Sequence, residues 1–216
     1  FFFQAEDGIR DRSPSRGLEM CIRDRIMGSY LNDAALDLFD FALSTYILIL
    51  VLYLLLRFTR SDNRNPISQL IIKASRPILS PLYLLIPIGR SIQLPSIIAL
   101  IALEFLRILS IYLSAEISPS FSGVLILSIG KLVQLTIYTI IFLLFSRSII
   151  SWIANNNHHF AITLLYSMTE PMLRRARTLI PIGGFIDWSP ILLFVFLMLC
   201  LRLIVQPLLD FGISLI

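Results

Sequence analysis

The sequence predicts an all-α membrane protein in which four transmembrane helices form two parallel tandem repeats. Three observations lead to this prediction: an apolar composition, four long apolar runs, and two similar segments 94 residues apart. Of the 216 residues, 56% are apolar and 15% are charged, and the mean hydropathy is +0.82. Soluble domains carry about 45–50% apolar and about 25% charged residues, so this composition is typical of a protein embedded in a bilayer.

The first 26 residues differ from the rest of the chain. Phe1–Ile26 carries five arginines and five acids, and it lacks the basic start and apolar core of a signal peptide. Its sequence, FFFQAEDGIRD followed by RGLEMCIRDR, resembles translated sequencing-adapter sequence. We therefore expect residues 1–26 to be a disordered, non-native leader, and the native protein to begin at Met27.

Four apolar runs are the predicted membrane spans, because about 20 apolar residues cross the hydrocarbon once. A helix satisfies its backbone hydrogen bonds within the segment, and none of the runs alternates as the strands of a barrel do. The runs are Phe41–Leu56, Pro95–Ser114, Gly123–Phe145 and Pro190–Leu209.

Two semi-apolar segments, residues 65–94 and 158–188, separate the first run from the second and the third from the fourth. Both are interrupted by prolines, and both carry cations among their apolar residues. Proline removes a backbone hydrogen bond, and lipid offers no replacement. We expect these segments to be amphipathic helices at the membrane surface or re-entrant turns.

The two segments are copies of one unit. Residues 75–97 and 169–191 share nine identities in 23 positions, including two prolines and a glycine that an apolar bias does not explain. Each unit consists of a span, a surface segment and a second span, so both copies have the same orientation in the membrane. We expect residues 27–122 to be the first repeat and residues 123–216 to be the second.

Lysine and arginine predict the orientation. Ten of these cations lie in or beside the two surface segments, whereas residues 27–40, residues 115–122 and the tail after Leu209 contain none. By the positive-inside rule, the surface segments are cytoplasmic and both termini are periplasmic.

A long motif runs through the second repeat. Its residues are Arg147, Trp152, Glu170, Pro171, Arg174, Arg177, Pro181, Gly183, Gly184, Asp187, Ser189 and Pro190. This pattern resembles the signature of the YggT family. The first repeat carries a weaker form, with Arg90 where the family tends to have a second glycine and Gln93 where it has an acid.

The resemblance implies a multi-pass protein of the bacterial inner (plasma) membrane, built from two tandem YggT repeats. It also implies a link to the processes with which relatives are associated, namely cytochrome maturation, cell-division or thylakoid organisation, and osmotic stress tolerance. The family offers no established catalytic residue to transfer to this chain.

The end of the motif has a structural interpretation and a functional one. Ser189 suits a helix N-cap, Pro190 suits the first helical position, and Asp187 complements the positive end of the helix dipole. We expect a turn and a helix start here. The alternative is a ligand-binding loop, in which Arg174, Arg175 and Arg177 meet anionic lipid head groups.

Four charged residues lie within the predicted spans: Glu104, Arg107, Lys131 and Arg202. Glu104 and Arg107 are three residues apart on one helix face, so they can neutralise each other. We expect the three cations to lie in the outer third of their spans and to reach toward the outer head groups. The alternative is a polar cluster at the repeat interface that binds an anion or a partner's carboxylate.

No enzyme motif is present, so we expect a protein that is not an enzyme and has no catalytic residue, cofactor or metal site. The leading hypothesis is a membrane organisation or assembly factor. The alternative is a small ion or solute permeation protein linked to osmotic adaptation. Expected partners are the lipid bilayer, including anionic lipids, and other membrane proteins, and homo-oligomers are compatible with the sequence. Nucleic acid is not an expected partner.

Overall fold

A computed structural model describes the backbone of residues 15–61, 64–85, 93–153, 159–179 and 189–216, and most side chains in these ranges from Ala34 onward. The chain forms two compact units, Phe1–Ala42 and Leu43–Ile216. The first contains the beginning of helix α1. All contacts given below lie within the second unit.

Every regular element in the described ranges is helical. The helices are α1 (Ser15–Phe58), α2 (Pro66–Leu85), α3 (Leu94–Ser114), α4 (Phe121–Ile153), α5 (Phe160–Leu179), α6 (Ser189–Cys200) and α7 (Gln206–Ser214), with a π-helical turn (Leu201–Val205) joining α6 to α7. Helix α1 begins at Ser15, within the stretch for which the sequence predicts disorder.

Four helices are long and apolar enough to cross a membrane, which confirms the predicted number of spans. They are Ala34–Phe58, Leu94–Ser114, Phe121–Ser151 and Ser189–Ser214. Three are clearly longer than the apolar runs predict, because polar residues at the ends of the runs do not interrupt the helices. The fourth span, for example, continues through Asp210 to Ser214.

The surface segments of both repeats contain helices of 20 residues, α2 and α5. Their apolar faces pack against other helices of the bundle. In α5 the buried apolar residues are Leu164, Leu165, Met168, Leu173 and Ala176. The opposite faces carry the charged residues together with a few exposed apolar side chains, such as Leu70 and Leu84, so both helices are amphipathic, as their sequences predict.

Helix α2 continues through Pro77 and Pro81. Each proline lacks the N–H group that would bond the carbonyl four residues earlier, and these carbonyls belong to Lys73 and Pro77. Lys73, Pro77 and Pro81 are all exposed, so the two carbonyls lie on the exposed side of the helix. Placing both prolines on this side avoids a buried unsatisfied group.

Two apolar clusters form the core, and α4 contributes to both. The first cluster joins α1 to parts of α2, α3, α4 and α5 around Ile47, Leu50 and Val51. The second joins α3, α4 and α5 to the last span around Val124 and Val205. Helix α4 is therefore the central helix of the second unit.

Helices α4 and α7 pack closely through glycines. A methyl group placed on Gly212 would lie 3.0 Å from the backbone nitrogen of Leu127, and one on Gly130 would lie 2.8 Å from Cδ2 of Leu209. Small residues of this kind allow close approach of helix backbones within a membrane. The Ser120 hydroxyl, at the start of α4, also donates a hydrogen bond to the carbonyl of Leu215.

The surface helices of the two repeats are joined by Asn65. Its side-chain oxygen accepts a hydrogen bond from the N–H of Ile67 at 2.9 Å, which caps the start of α2. Its side-chain nitrogen donates to the carbonyl of Phe160 at 2.7 Å, at the start of α5. This one buried side chain therefore connects the starts of α2 and α5.

Candidate functional site on the second surface helix

Arg147, near the end of α4, connects that helix to α5. Its guanidinium donates to the Thr169 hydroxyl at 2.9 Å and to Glu170 Oε2 at 2.7 Å. It also lies 4.4 Å from the ring centroid of Tyr166, within the range of a cation–π contact. The Arg147 side chain is only 12% exposed. This arginine is therefore held on three sides by residues of one helix.

Glu170 lies between two arginines. Its Oε1 atom accepts a hydrogen bond from Arg177 at 3.0 Å, seven residues further along α5, and its Oε2 atom accepts the bond from Arg147. The hydrogen bond from Arg147 holds the pKa of the Glu170 carboxyl below its ordinary value, and the charges of both arginines add to this effect against a smaller effect of burial. The carboxylate is therefore ionised at neutral pH, and both of its oxygens are occupied.

The first repeat does not contain this network. The residue equivalent to Glu170 is Arg76, and the residue equivalent to Arg147 is Arg57. Arg57 instead contacts Tyr53 of its own helix, donating a hydrogen bond to the hydroxyl at 3.3 Å and lying 5.4 Å from the ring centroid. The charge arrangement on the surface helices thus differs between the repeats.

A shallow groove lies beside Glu170 on the outer face of α5. It encloses about 510 Å³, and its lining residues are Glu170, Pro171, Arg174, Arg175 and Thr178. Both Arg174 and Arg175 are exposed, and neither makes an ion pair in the part of the chain that the structure describes. The groove therefore presents two guanidinium groups beside an acid that is already paired.

The intramembrane charges divide into a pair and two single residues. Arg107 donates to both carboxylate oxygens of Glu104, at 3.1 and 3.2 Å, as their spacing predicts. Glu104 is 2% exposed, so this acid lies in the interior of the bundle.

Lys131 and Arg202 lie on exposed faces, and neither forms an ion pair in the part of the chain that the structure describes. The depth of Arg202 in its span stays a prediction, but its position along the helix differs from the one that the apolar run gives. The residue follows Ser189 by 13 positions and precedes Ser214 by 12, because the span continues past Leu209. It also lies in the π-helical turn, just before Pro207 removes a backbone donor.

Some motif residues lie outside the described residues, namely Pro181, Gly183, Gly184 and Asp187, and so does the side chain of Trp152. Ser189 and Pro190 are described. Helix α6 begins at Ser189, one residue earlier than a cap at this position predicts. The expected helix start is therefore present, with Pro190 in its first turn.

The sequence alone does not predict three contacts of the structure. They are made by Asn65, Tyr166 and Thr169. Thr169 is adjacent to Glu170, and Tyr166 lies one helical turn before it. The contacts of both residues with Arg147 depend on how α4 and α5 pack. Asn65 precedes Pro66, a dipeptide that indicates a helix start. Its bond to the other repeat has no signal in the sequence.

These features define a class of protein: a multi-pass helical membrane protein built from two tandem repeats. The family model described as CCB3/YggT matches the chain twice, over residues 32–114 and 126–208. The chain therefore belongs to the CCB3/YggT family, and the two matches fall in the two predicted repeats.

Several curated relatives are similar over most of their length. An uncharacterised protein of Pseudomonas aeruginosa is 32% identical over 180 residues, covering 82% of this chain and 91% of the relative. The uncharacterised protein YggT of Escherichia coli K12 is 29% identical over 163 residues, covering 73% and 84%. An uncharacterised protein of Vibrio alginolyticus is 31% identical over 152 residues, covering 69% and 82%. No solved structure matches the chain significantly.

Proposed function

We propose that this protein is a non-enzymatic organisation or assembly factor of the bacterial inner membrane, acting through lateral contacts with other membrane proteins. The main observation in support of this proposal is the position of the charged residues in the membrane spans. The buried acid, Glu104, is paired within its own helix, whereas Lys131 and Arg202 face outward. Charged residues in membrane spans are costly and are typical of functional positions.

The same observation disfavours the permeation protein. A pathway for ions or solutes needs polar side chains that converge on a common lumen. Lys131 and Arg202 are exposed, whereas Glu104 is buried in the interior of the bundle. Their outward positions instead suit contacts with neighbouring molecules.

The last span offers the surface for such contacts. Leu203 and Ile204, beside Arg202, are 71% and 61% exposed, whereas Val205 is 1% exposed against α4. A photo-crosslinking amino acid at Leu203 reports on neighbours of the bundle. The same amino acid at Val205 is the matched control, because it faces the interior.

We expect the Leu203 variant to crosslink to a small set of identified membrane proteins in native membranes, and the Val205 variant to give none of them. The purified protein in proteoliposomes should show no ion or solute flux above that of empty vesicles. Flux from the purified protein, combined with identical crosslinks at both positions, would refute the proposal in favour of a permeation protein. Association with cytochrome maturation, cell division or osmotic adaptation would follow from which partners are identified.

A further inference from the structure

We infer that the groove on α5 is a binding site for a phosphate group, as carried by an anionic lipid head group or by free phosphate. This inference is independent of the proposed organising function. It rests on four of the residues that line the groove: Glu170, Pro171, Arg174 and Arg175.

The first step concerns charge. An acid beside two arginines normally neutralises one of them, but both oxygens of Glu170 accept hydrogen bonds from Arg147 and Arg177. Arg147 comes from α4 and Arg177 from α5, and neither of these two arginines lines the groove. The guanidinium groups of Arg174 and Arg175 therefore keep their positive charge available to a ligand.

The second step concerns chemistry. A guanidinium is a planar fork of N–H donors that matches the oxygens of a phosphate, and it is weakly hydrated compared with an ammonium group. Both arginines are exposed. The Pro171 ring adds an apolar surface to the same groove. Together these residues suit a phosphate that is attached to a partly apolar molecule.

The third step concerns position. Arg175 precedes the first residue of the last span, Ser189, by 14 residues, within the distance from a span over which cations count in the positive-inside rule. Juxtamembrane cations attract anionic lipids, each strengthening the attraction by roughly fivefold. The opposite face of α5 is covered by the bundle, so its residues Leu173 and Ala176 do not compete for contact with lipid.

The first repeat lacks the site and therefore provides the control. The positions equivalent to Arg174, Arg175 and Thr178 are Ser80, Pro81 and Leu84. Helix α2 has its own exposed cations, Lys73 and Arg76, on other positions. Removing two cations from either helix changes the net charge of the protein equally.

The test uses the full chain purified in an uncharged detergent, with fluorescent phosphatidylglycerol as the probe and phosphatidylcholine as the neutral comparison. The variant Arg174→Gln with Arg175→Gln should bind phosphatidylglycerol roughly 25-fold more weakly. The control variant Lys73→Gln with Arg76→Gln should change binding less than twofold. Equal melting temperatures would show that both variants fold.

Competition with inorganic phosphate separates the two sources of ligand. Displacement of the lipid by millimolar phosphate, lost in the α5 variant, would indicate a site that takes free phosphate. Resistance to phosphate, with the variant effect intact, would indicate a site for lipid head groups. Equal weakening by both variants would overturn the inference, because net charge alone would explain the binding, and so would unchanged binding in the α5 variant.

Discussion

At the scale of single residues, Glu170 is the acid that links two arginines of the candidate site. Its carboxylate accepts hydrogen bonds from Arg147, at the end of the third span, and from Arg177, on its own helix. These bonds hold both cations in place. Its side chain is 45% exposed, whereas that of Arg147 is 12% exposed. Loss of the acid therefore affects Arg147 more than Arg177, because the former would keep a largely buried charge without its counter-ion.

We expect Glu170→Gln to lower the free energy of unfolding by about 1 kcal/mol at neutral pH, a value reduced from that of a buried pair because the acid is partly exposed. The pKa of Glu170 is lowered in the folded state. Its charge therefore stabilises the fold at pH values above the unfolded pKa of about 4.3, and this stabilisation is lost as the pH falls through the folded pKa.

Thermal unfolding in detergent between pH 7 and pH 3 measures this effect. The difference in melting temperature between the unsubstituted protein and the Glu170→Gln variant should be constant above about pH 5 and should shrink below it. Glu116 is an exposed acid with no ion pair in the described part of the chain, so Glu116→Gln is the control. A pH-independent difference, or the same profile for both variants, would contradict the assignment.

The two ion pairs show which part of a site can be predicted from sequence. Glu104 and Arg107 are three residues apart, and helix geometry alone brings them together. Arg147 and Glu170 are separated by 23 residues and lie on different helices, so their contact depends on tertiary packing. The motif marked both residues, but only the structure shows that they bind each other.

At the scale of elements, the contact between α4 and α7 depends on residues without side chains. Gly212 lies against the backbone of Leu127, which cannot move without shifting α4. Gly130 lies against the end of the Leu209 side chain, which can rotate.

We expect Gly212→Ala to destabilise the protein by about 1–3 kcal/mol, the usual cost of overpacking, and Gly130→Ala to cost clearly less. Both changes raise helix propensity by about 1 kcal/mol, so the difference between them isolates the contact. Melting temperatures of the two purified variants give this comparison. Equal melting temperatures would show that the helices separate freely and that close packing at Gly212 is unimportant.

The helices themselves were largely predictable, since long apolar runs in lipid leave few alternatives to a helix. The residues at which the helices begin and end were less predictable. The apolar run predicts that the last span ends at Leu209, yet Asp210 lies within the helix and its side chain accepts a hydrogen bond from Gln206 at 3.3 Å. The prolines of α2 are compatible with a helix or a re-entrant turn, and the structure shows one helix that continues through Pro77 and Pro81 on its exposed side. Exposure is a property of packing, which periodicity indicates only coarsely.

At the scale of the whole molecule, both repeats have the same orientation in the membrane, so one experiment tests the orientation of both. Ten cations in or beside the surface segments predict that α2 and α5 are cytoplasmic. Because each repeat crosses the membrane twice, the chain should start and end on the opposite side.

Alkaline phosphatase, which is active only in the periplasm, tests this orientation. We expect a fusion after Asn157 to be inactive and a fusion after Ile216 to be active, and fusions to a fluorescent protein that matures only in the cytoplasm should give the reverse. Activity of the phosphatase after Asn157 would overturn the orientation of both repeats together.

The charge difference between the repeats has a consequence for their shared origin. Glu104 of the first repeat corresponds to the apolar Met198 or Leu199 of the second, and Glu170 of the second corresponds to Arg76 of the first. Each half thus holds an acid at a position where the other half has none. A chain assembled from two copies of the first half would have no counterpart of Glu170 to pair with the arginine at the end of the third span, and one assembled from two copies of the second half would have no counterpart of the buried Glu104. The two halves therefore share one pattern of helices but hold their acids at different positions.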